Sequence, residues 1–304
     1  MGLAHQSAWL VVVSVISGLG FAVLGVSWRL GQAKGVPPTH VAVVISVIGT
    51  AFFAGRAGGF AAPALVWALG VAAGVTQYAA IKLIKPALAR GPLSPLWCAI
   101  SLGFVVTVTY ARLFLGESLR PLQSLGVAAG VGCVLVASMG QHQSSDDSAP
   151  AAPGLVGAKA VYGAILLMIL LSASGAAVMI KHLSAQPYGA GESYMAHFGD
   201  VFYGQFYAVF GLLIGIDLLL TRPRGVPLKS ALAVGVLGAA GSVTGLWAWG
   251  VASVLPAAVV FTVSSLVSIV AASLASVAFF GEKRTRSWYA AIGLAVVSVV
   301  LVSA

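Results

Sequence analysis

The sequence predicts an all-α membrane protein: ten transmembrane helices forming two inverted five-helix repeats around a central cavity. Three observations carry that expectation. The 304 residues are 60% hydrophobic and only 8% charged, with a mean hydropathy of +1.02, whereas a soluble domain carries about 25% charged residues. Apolar runs of roughly 20 residues, the length that spans a bilayer, recur along the whole chain. One phrase is also written twice, as "TYARLFLGESLRPLQSLG" from Thr109 to Gly126 and as "SVAFFGEKRTRSWYAAIG" from Ser276 to Gly293.

On the bilayer ruler the spans fall near 9–28, 38–55, 61–83, 91–113, 119–139, 160–180, 193–217, 230–250, 255–280 and 286–304. The first is preceded by "MGLAHQSA", which has no Lys or Arg, and reads as mature structure rather than as a signal peptide. "GVPPTH" leads into the second span, "ARGPLSP" opens the fourth, and "TRPRGVP" separates the seventh from the eighth. The stretch "QHQSSDDSAPAAPG" is rich in Ser, Asp, Pro and Gly, cannot pack in lipid, and lies almost at the midpoint. The organisation read from this is a first five-helix repeat over 1–140, a linker over 141–154 and a second repeat over 155–304.

The two halves match in order. "ALVWALGVAAGVTQY" from Ala64 aligns with "ALAVGVLGAAGSVTG" from Ala231, and Gly116-Glu117 with Gly281-Glu282. More faintly, "SGLG" at Ser17 answers "SASG" at Ser172. Five is odd, so the second unit enters the bilayer from the opposite side, the arrangement in which a midplane site opens alternately to each face. The fourth and ninth spans begin at Pro, end in Gly-Glu and lead into another apolar helix with an early Gly. In this the chain resembles the EamA-type drug/metabolite transporters, over its whole length. The resemblance implies a helical basket around a cavity and transport of amino acids, sugars, nucleotide-sugars, choline-like cations or drugs.

Charge adds constraints. The net +9 sits in the gaps between apolar runs, with no basic stripe interleaved with stacking aromatics, so nucleic acid is not an expected partner. Taking the side of the N-terminus as one face, that face holds Arg56, Arg112, Arg120 and Lys181. The other holds twelve basic residues, among them Arg29, Lys34, Lys82, Lys85, Arg90 and Lys229. The positive-inside rule then sets both termini outside the cytoplasm, whereas relatives of the EamA type are usually drawn with both inside. Cys98 and Cys133 lie in apolar runs and read as packing residues. No cofactor is expected. There is no GxxxxGK[ST] loop for ATP, and no metal or nucleophile constellation that would make an intramembrane enzyme. Glu117 and Glu282 read as structural carboxylates that pair with Arg120 or Arg284 and cap the following helix.

The candidate site begins in the seventh span, "ESYMAHFGDVFYGQFYAVFG". Ser193, His197, Asp200, Gly204 and Tyr207 follow a 4-3-4-3 spacing and share one helix face, with Tyr203 close to it. Asp200 is the one acid well inside a span, and a charge in hydrocarbon, costing at least about 2.5–3.5 kcal/mol, must face protein or water. Two chemistries suit it: proton coupling, with His197 at its side tuning the carboxyl, or capture of a substrate ammonium beside Tyr203 and Tyr207. A plain hydrogen bond between His197 and Asp200 that locks two helices is the structural alternative. A second cluster is Gln77, Tyr78 and Lys82 on the third span, where snorkelling is the preferred reading of Lys82. Trp97, Tyr110, Trp247 and Trp249 are candidates to line the cavity. The expected function is a secondary transporter exporting amino acids or similar amphipathic metabolites, proton-coupled in one version. Drug or organic-cation efflux is the alternative, and a non-transporting scaffold a third class. The expected partners are a small-molecule substrate and the lipid bilayer. Monomer and homodimer both fit, and the expected address is a bacterial inner membrane.

Overall fold

The computed structural model describes residues 3–59, 61–88, 99–141, 156–189, 191–221, 225–281 and 286–304. Ten helices are bounded within them: α1 Leu3–Ala33, α2 Pro38–Arg56, α3 Ala64–Leu88, α4 Gly103–Phe114, α5 Pro121–Gln141, α6 Val156–Ala185, α7 Tyr194–Thr221, α8 Leu228–Ala252, α9 Ala257–Phe280 and α10 Arg286–Ser303. Eight are long and apolar enough to cross a membrane; within the described residues the other two, Ala99–Phe114 and Pro121–Ala137, are shorter apolar helices. With exposed Leu, Val and Phe side chains spread over its outer surface, the chain is a multi-pass, all-α membrane protein. Of the linker read at 141–154 all but Gln141, together with Trp97, Cys98, Glu282 and Arg284, lie outside the described residues.

One small element was not foreseen. Between α6 and α7, strands β1 (Pro187–Tyr188) and β2 (Glu192–Ser193) pair antiparallel. They turn through Gly189 and Gly191, whose φ values of 61° and 93° lie where only glycine sits without strain. The repeated Gly-Glu phrase has a backbone cause of the same kind. Gly116 follows α4 at φ 69° and Gly281 caps α9 at φ 67°, so each phrase ends a helix with a left-handed residue.

The helices pack in a definite pattern. α1 lies against α8 and α9, and α6 against α3 and α4; α2 packs on α7 and α8, α3 on α7, α5 on α10, and α4 on α9. Small residues set one of the close crossings. A Cβ on Gly241 would stand 2.5 Å from the Gly20 carbonyl oxygen, so α1 and α8 meet backbone to backbone. Glycines spaced four apart recur in these seams: Gly70/Gly74, Gly126/Gly130 and Gly241/Gly245 all pack internally, as does Gly211 against Ser46, whereas Gly215 has open space. Hydroxyls reinforce these seams across helices: Ser17 donates to the Gly245 carbonyl at 2.8 Å, Ser264 to Ser14 at 3.0 Å and Ser298 to Gly126 at 2.6 Å.

The helix ends meet at two levels. At the end where α1 begins, called proximal below, lie Arg56, Asp200, Glu117, Lys181 and the start of α9. At the distal end lie Arg29 beside Ser276, and Lys82 beside Asp217. Packing is tighter proximally. In α9 every residue from Ala257 to Ser264 is buried, whereas from Ser265 to Phe280 only Leu266 and Ser276 are.

Candidate functional site

The seventh-span stripe exists, and its face turns to α2 and α8. Asp200 accepts from Arg56 Nε at 3.2 and 3.3 Å, and the guanidinium lies over the Phe52 ring at 5.7 Å. His197 does not pair with Asp200: its Nδ1 is 3.2 Å from Glu192 Oε2, and its ring lies 4.7 Å from Tyr188, which the small hairpin delivers. The expected partnership inside α7 is therefore replaced by two separate pairs. The cause is geometric. The face that residues 197 and 200 share presents Asp200 to the end of α2, while His197, a turn earlier, looks back to the hairpin. Ser193 accepts the Ala196 amide at 3.2 Å and so caps the helix start.

The tyrosines of that stripe are packed inside. Tyr203 donates to the Leu246 carbonyl at 2.6 Å, and the Tyr207 hydroxyl meets Ser242 at 2.6 Å, both groups buried. Tyr207 stacks on Phe53 with centroids 5.8 Å apart and fills the space over Gly49, where any Cβ would strike the ring. In this conformation the two rings staple α7 to α2 and α8 rather than flank an open ammonium site. On the opposite face of the same turns lies Gln205, 4% exposed, with neither amide atom bonded and its side chain seated over Gly70 of α3.

On α3, Gln77 and Tyr78 are half-buried, and Tyr78 packs with Ala42, Ile81, Phe210 and Ile214. Lys82 is 44% exposed and bonds Asp217 Oδ1 at 2.6 Å, so its partner is the second carboxylate of α7. Snorkelling and pairing coincide here. The two expected cavity tryptophans of α8 separate: Trp247 is exposed on the outer surface, whereas Trp249 points inward. Trp249 lies 4.5 Å from Phe21 and 5.1 Å from Phe261, between the two largest core clusters, and its Nε1 has no hydrogen-bond partner. Tyr110 is tied to His182, hydroxyl to Nδ1, at 2.7 Å.

Charge counting registered Lys181 but gave it no role. Its ammonium is buried, paired with Glu117 Oε1, and donates to the carbonyls of Ser253 at 3.1 Å and Leu255 at 2.8 Å. The other oxygen of Glu117 accepts the Ala257 amide at 2.8 Å. This corrects the expected Arg120 partnership: Arg120 reaches the Ala304 carbonyl instead, and Glu117 caps α9, not the helix that follows it. The available signal was a lone lysine inside the apolar run "GAAVMIKHL". Among the described residues, no cluster of three or more His, Cys, Asp or Glu is placed to hold a metal.

No family model matches the sequence, and no curated protein matches it. Solved structures do share its fold. One crystal structure superposes with a TM-score of 0.73 over 97% of this chain and 96% of its own, at 19% identity. The likeness is one of fold alone, and it extends over the whole chain.

Proposed function

We propose that the chain is a secondary transporter of a small amphipathic metabolite, built as two inverted five-helix repeats with ten crossings, as its resemblance to the EamA-type transporters implies. The observation that carries this reading is the packing pattern. Exchange each of the first five helices for the one five places later, and the main partnerships reproduce themselves. The α1–α8 contact becomes α6–α3, α1–α9 becomes α6–α4, and α2–α8 becomes α7–α3, while α2–α7, α4–α9 and α5–α10 map onto themselves. A pseudo-twofold of this kind lets one chain adopt two mirrored packings of similar energy, and so expose one site to either face in turn. Along the α2–α7 seam the two helices run antiparallel, as the inverted arrangement requires: Ser46 meets Gly211, and Phe53 meets Gly204.

Within that frame the substrate meets the inner aromatic wall of Trp249, Phe21 and Phe261, and amino acids exported across a bacterial inner membrane are the first class to test. Asp200 serves as the coupling or recognition acid, exchanging Arg56 for a proton or a substrate ammonium. The alternative cargo is an organic cation or drug. Counterflow in proteoliposomes, with a panel of amino acids and cations and with Asp200→Asn beside the wild type, tests this. Saturable exchange that Asp200→Asn lowers by on the order of tenfold is expected. Exchange indifferent to that substitution removes Asp200 from the mechanism, and the absence of exchange for every compound removes the transporter reading.

A further inference from the structure

The proximal end is shut by an apolar plug. Val13 of α1, Phe104 and Val108 of α4, Ala177 of α6, Ala248 of α8 and Phe261 of α9 belong to one buried cluster, so five helices converge there. Directly above it sits the charged knot. We propose that the Glu117–Lys181 pair is the latch that holds this end closed, and that opening the proximal mouth requires its rupture. The inference rests on the transporter reading and names how access to that same site is controlled.

The chemistry of the knot favours a switch over a passive staple. The Lys181 ammonium has three donors, and all three are used: one on Glu117, one on Ser253 and one on Leu255. Of the last two acceptors, Ser253 caps the C-terminal end of α8, the negative end of that helix, where a cation is stabilised, and Leu255 lies in the α8–α9 connection. Glu117 in turn takes the amide of Ala257 in the first turn of α9, the positive end. Both charges are therefore satisfied only while the end of α4, the end of α6 and the α8–α9 connection meet at one point. Glu117 comes from the first half of the chain and every other member from the second. Relative movement of the halves leaves two unpaired charges that only water can accommodate, so the knot has two tolerable states, dry and joined or wet and parted. Nothing between them is stable.

Site-specific thiol labelling tests the latch. A chain carrying Cys98→Ser and Ala177→Cys reports on the plug one turn beneath Lys181, and native Cys133, buried against Leu266, Ala291 and Ala295, reports on global loosening. Purified protein is exposed to a charged methanethiosulfonate, and each thiol is followed by peptide mass spectrometry. Glu117→Gln and Lys181→Met are expected to speed labelling of the Ala177→Cys thiol by on the order of tenfold or more while leaving Cys133 slow. Unchanged labelling at both positions overturns the latch. Equal acceleration at both overturns it too, because the pair then holds the whole fold and not one mouth. Should Lys181→Met fail to fold, Glu117→Gln, which keeps an acceptor for the Ala257 amide, carries the test alone. Unchanged labelling beside live counterflow removes the latch only; local acceleration without any counterflow removes the transporter reading and keeps a real opening.

Discussion

The two ends of this bundle are built differently. Each has at least one ion pair joining distant parts of the chain. Proximally, Lys181 and Glu117 form a pair whose lysine is buried with all three donors used and whose glutamate accepts through both oxygens. Distally, Lys82 and Asp217 form a pair whose lysine is largely exposed. Glycine crowding does not follow that division. Gly241 at mid-bundle and Gly235 nearer the distal end both leave no room for a methyl group, while Gly215 opens onto an apolar crevice of about 490 Å³ lined by Val43, Leu212, Ile216 and Leu219. The difference is between the buried Lys181 knot and the exposed pairs, which include Arg56–Asp200 at the same proximal end as well as Lys82–Asp217 at the distal one.

The largest expected effect breaks the comparison at its strongest point. Glu117→Ala removes one partner of a buried pair and should cost about 3–5 kcal/mol of unfolding free energy. Asp217→Asn, at the exposed pair, should cost about 1 kcal/mol or less. Denaturant unfolding in mixed micelles measures both, and equal losses would erase the distinction between the knot and the exposed pairs. The glycines give the next test. Gly241→Val drives a side chain into the α1 backbone and should destabilise by about 2–3 kcal/mol, whereas Gly215→Val should stay within about 0.5 kcal/mol. Between these lies Tyr207→Phe, which strands the Ser242 hydroxyl in a buried seam and should cost about 1 kcal/mol.

Much of the proximal end was beyond sequence reading for a physical reason. Apolar runs of bilayer length are local, so eight long helices were legible. The Gly-Glu phrase was legible too, because a left-handed glycine at a helix end leaves a fixed local signature. Ion pairs are not local. His197 and Asp200 were paired because helical spacing brings them to one face, yet that face abuts α2, and Arg56 lies 144 residues from Asp200. Ala257 lies 140 residues from the glutamate that caps it. Side-chain type names a charge that needs a partner, and only the packing of helices chooses which partner arrives.

The smallest expected effect separates two neighbours on one helix. Trp247 and Trp249 were equal candidates in the sequence, but two residues on an α-helix point about 200° apart, so both cannot face the interior. Trp247 lies on the outer surface, and Trp247→Leu exchanges one lipid-facing apolar side chain for another. Its stability and its counterflow rate should match the wild type within about 0.5 kcal/mol. Trp249 packs between Phe21 and Phe261 with an unpaired indole N–H. Trp249→Phe keeps an aromatic ring there and removes a donor that has no protein partner to lose, so stability should change by less than about 1 kcal/mol. If that N–H is held ready for a transported molecule, the same substitution weakens substrate affinity in counterflow several-fold, by roughly the worth of one hydrogen bond. A loss at Trp247 with none at Trp249 would invert the assignment and move the substrate path to the outside of α8.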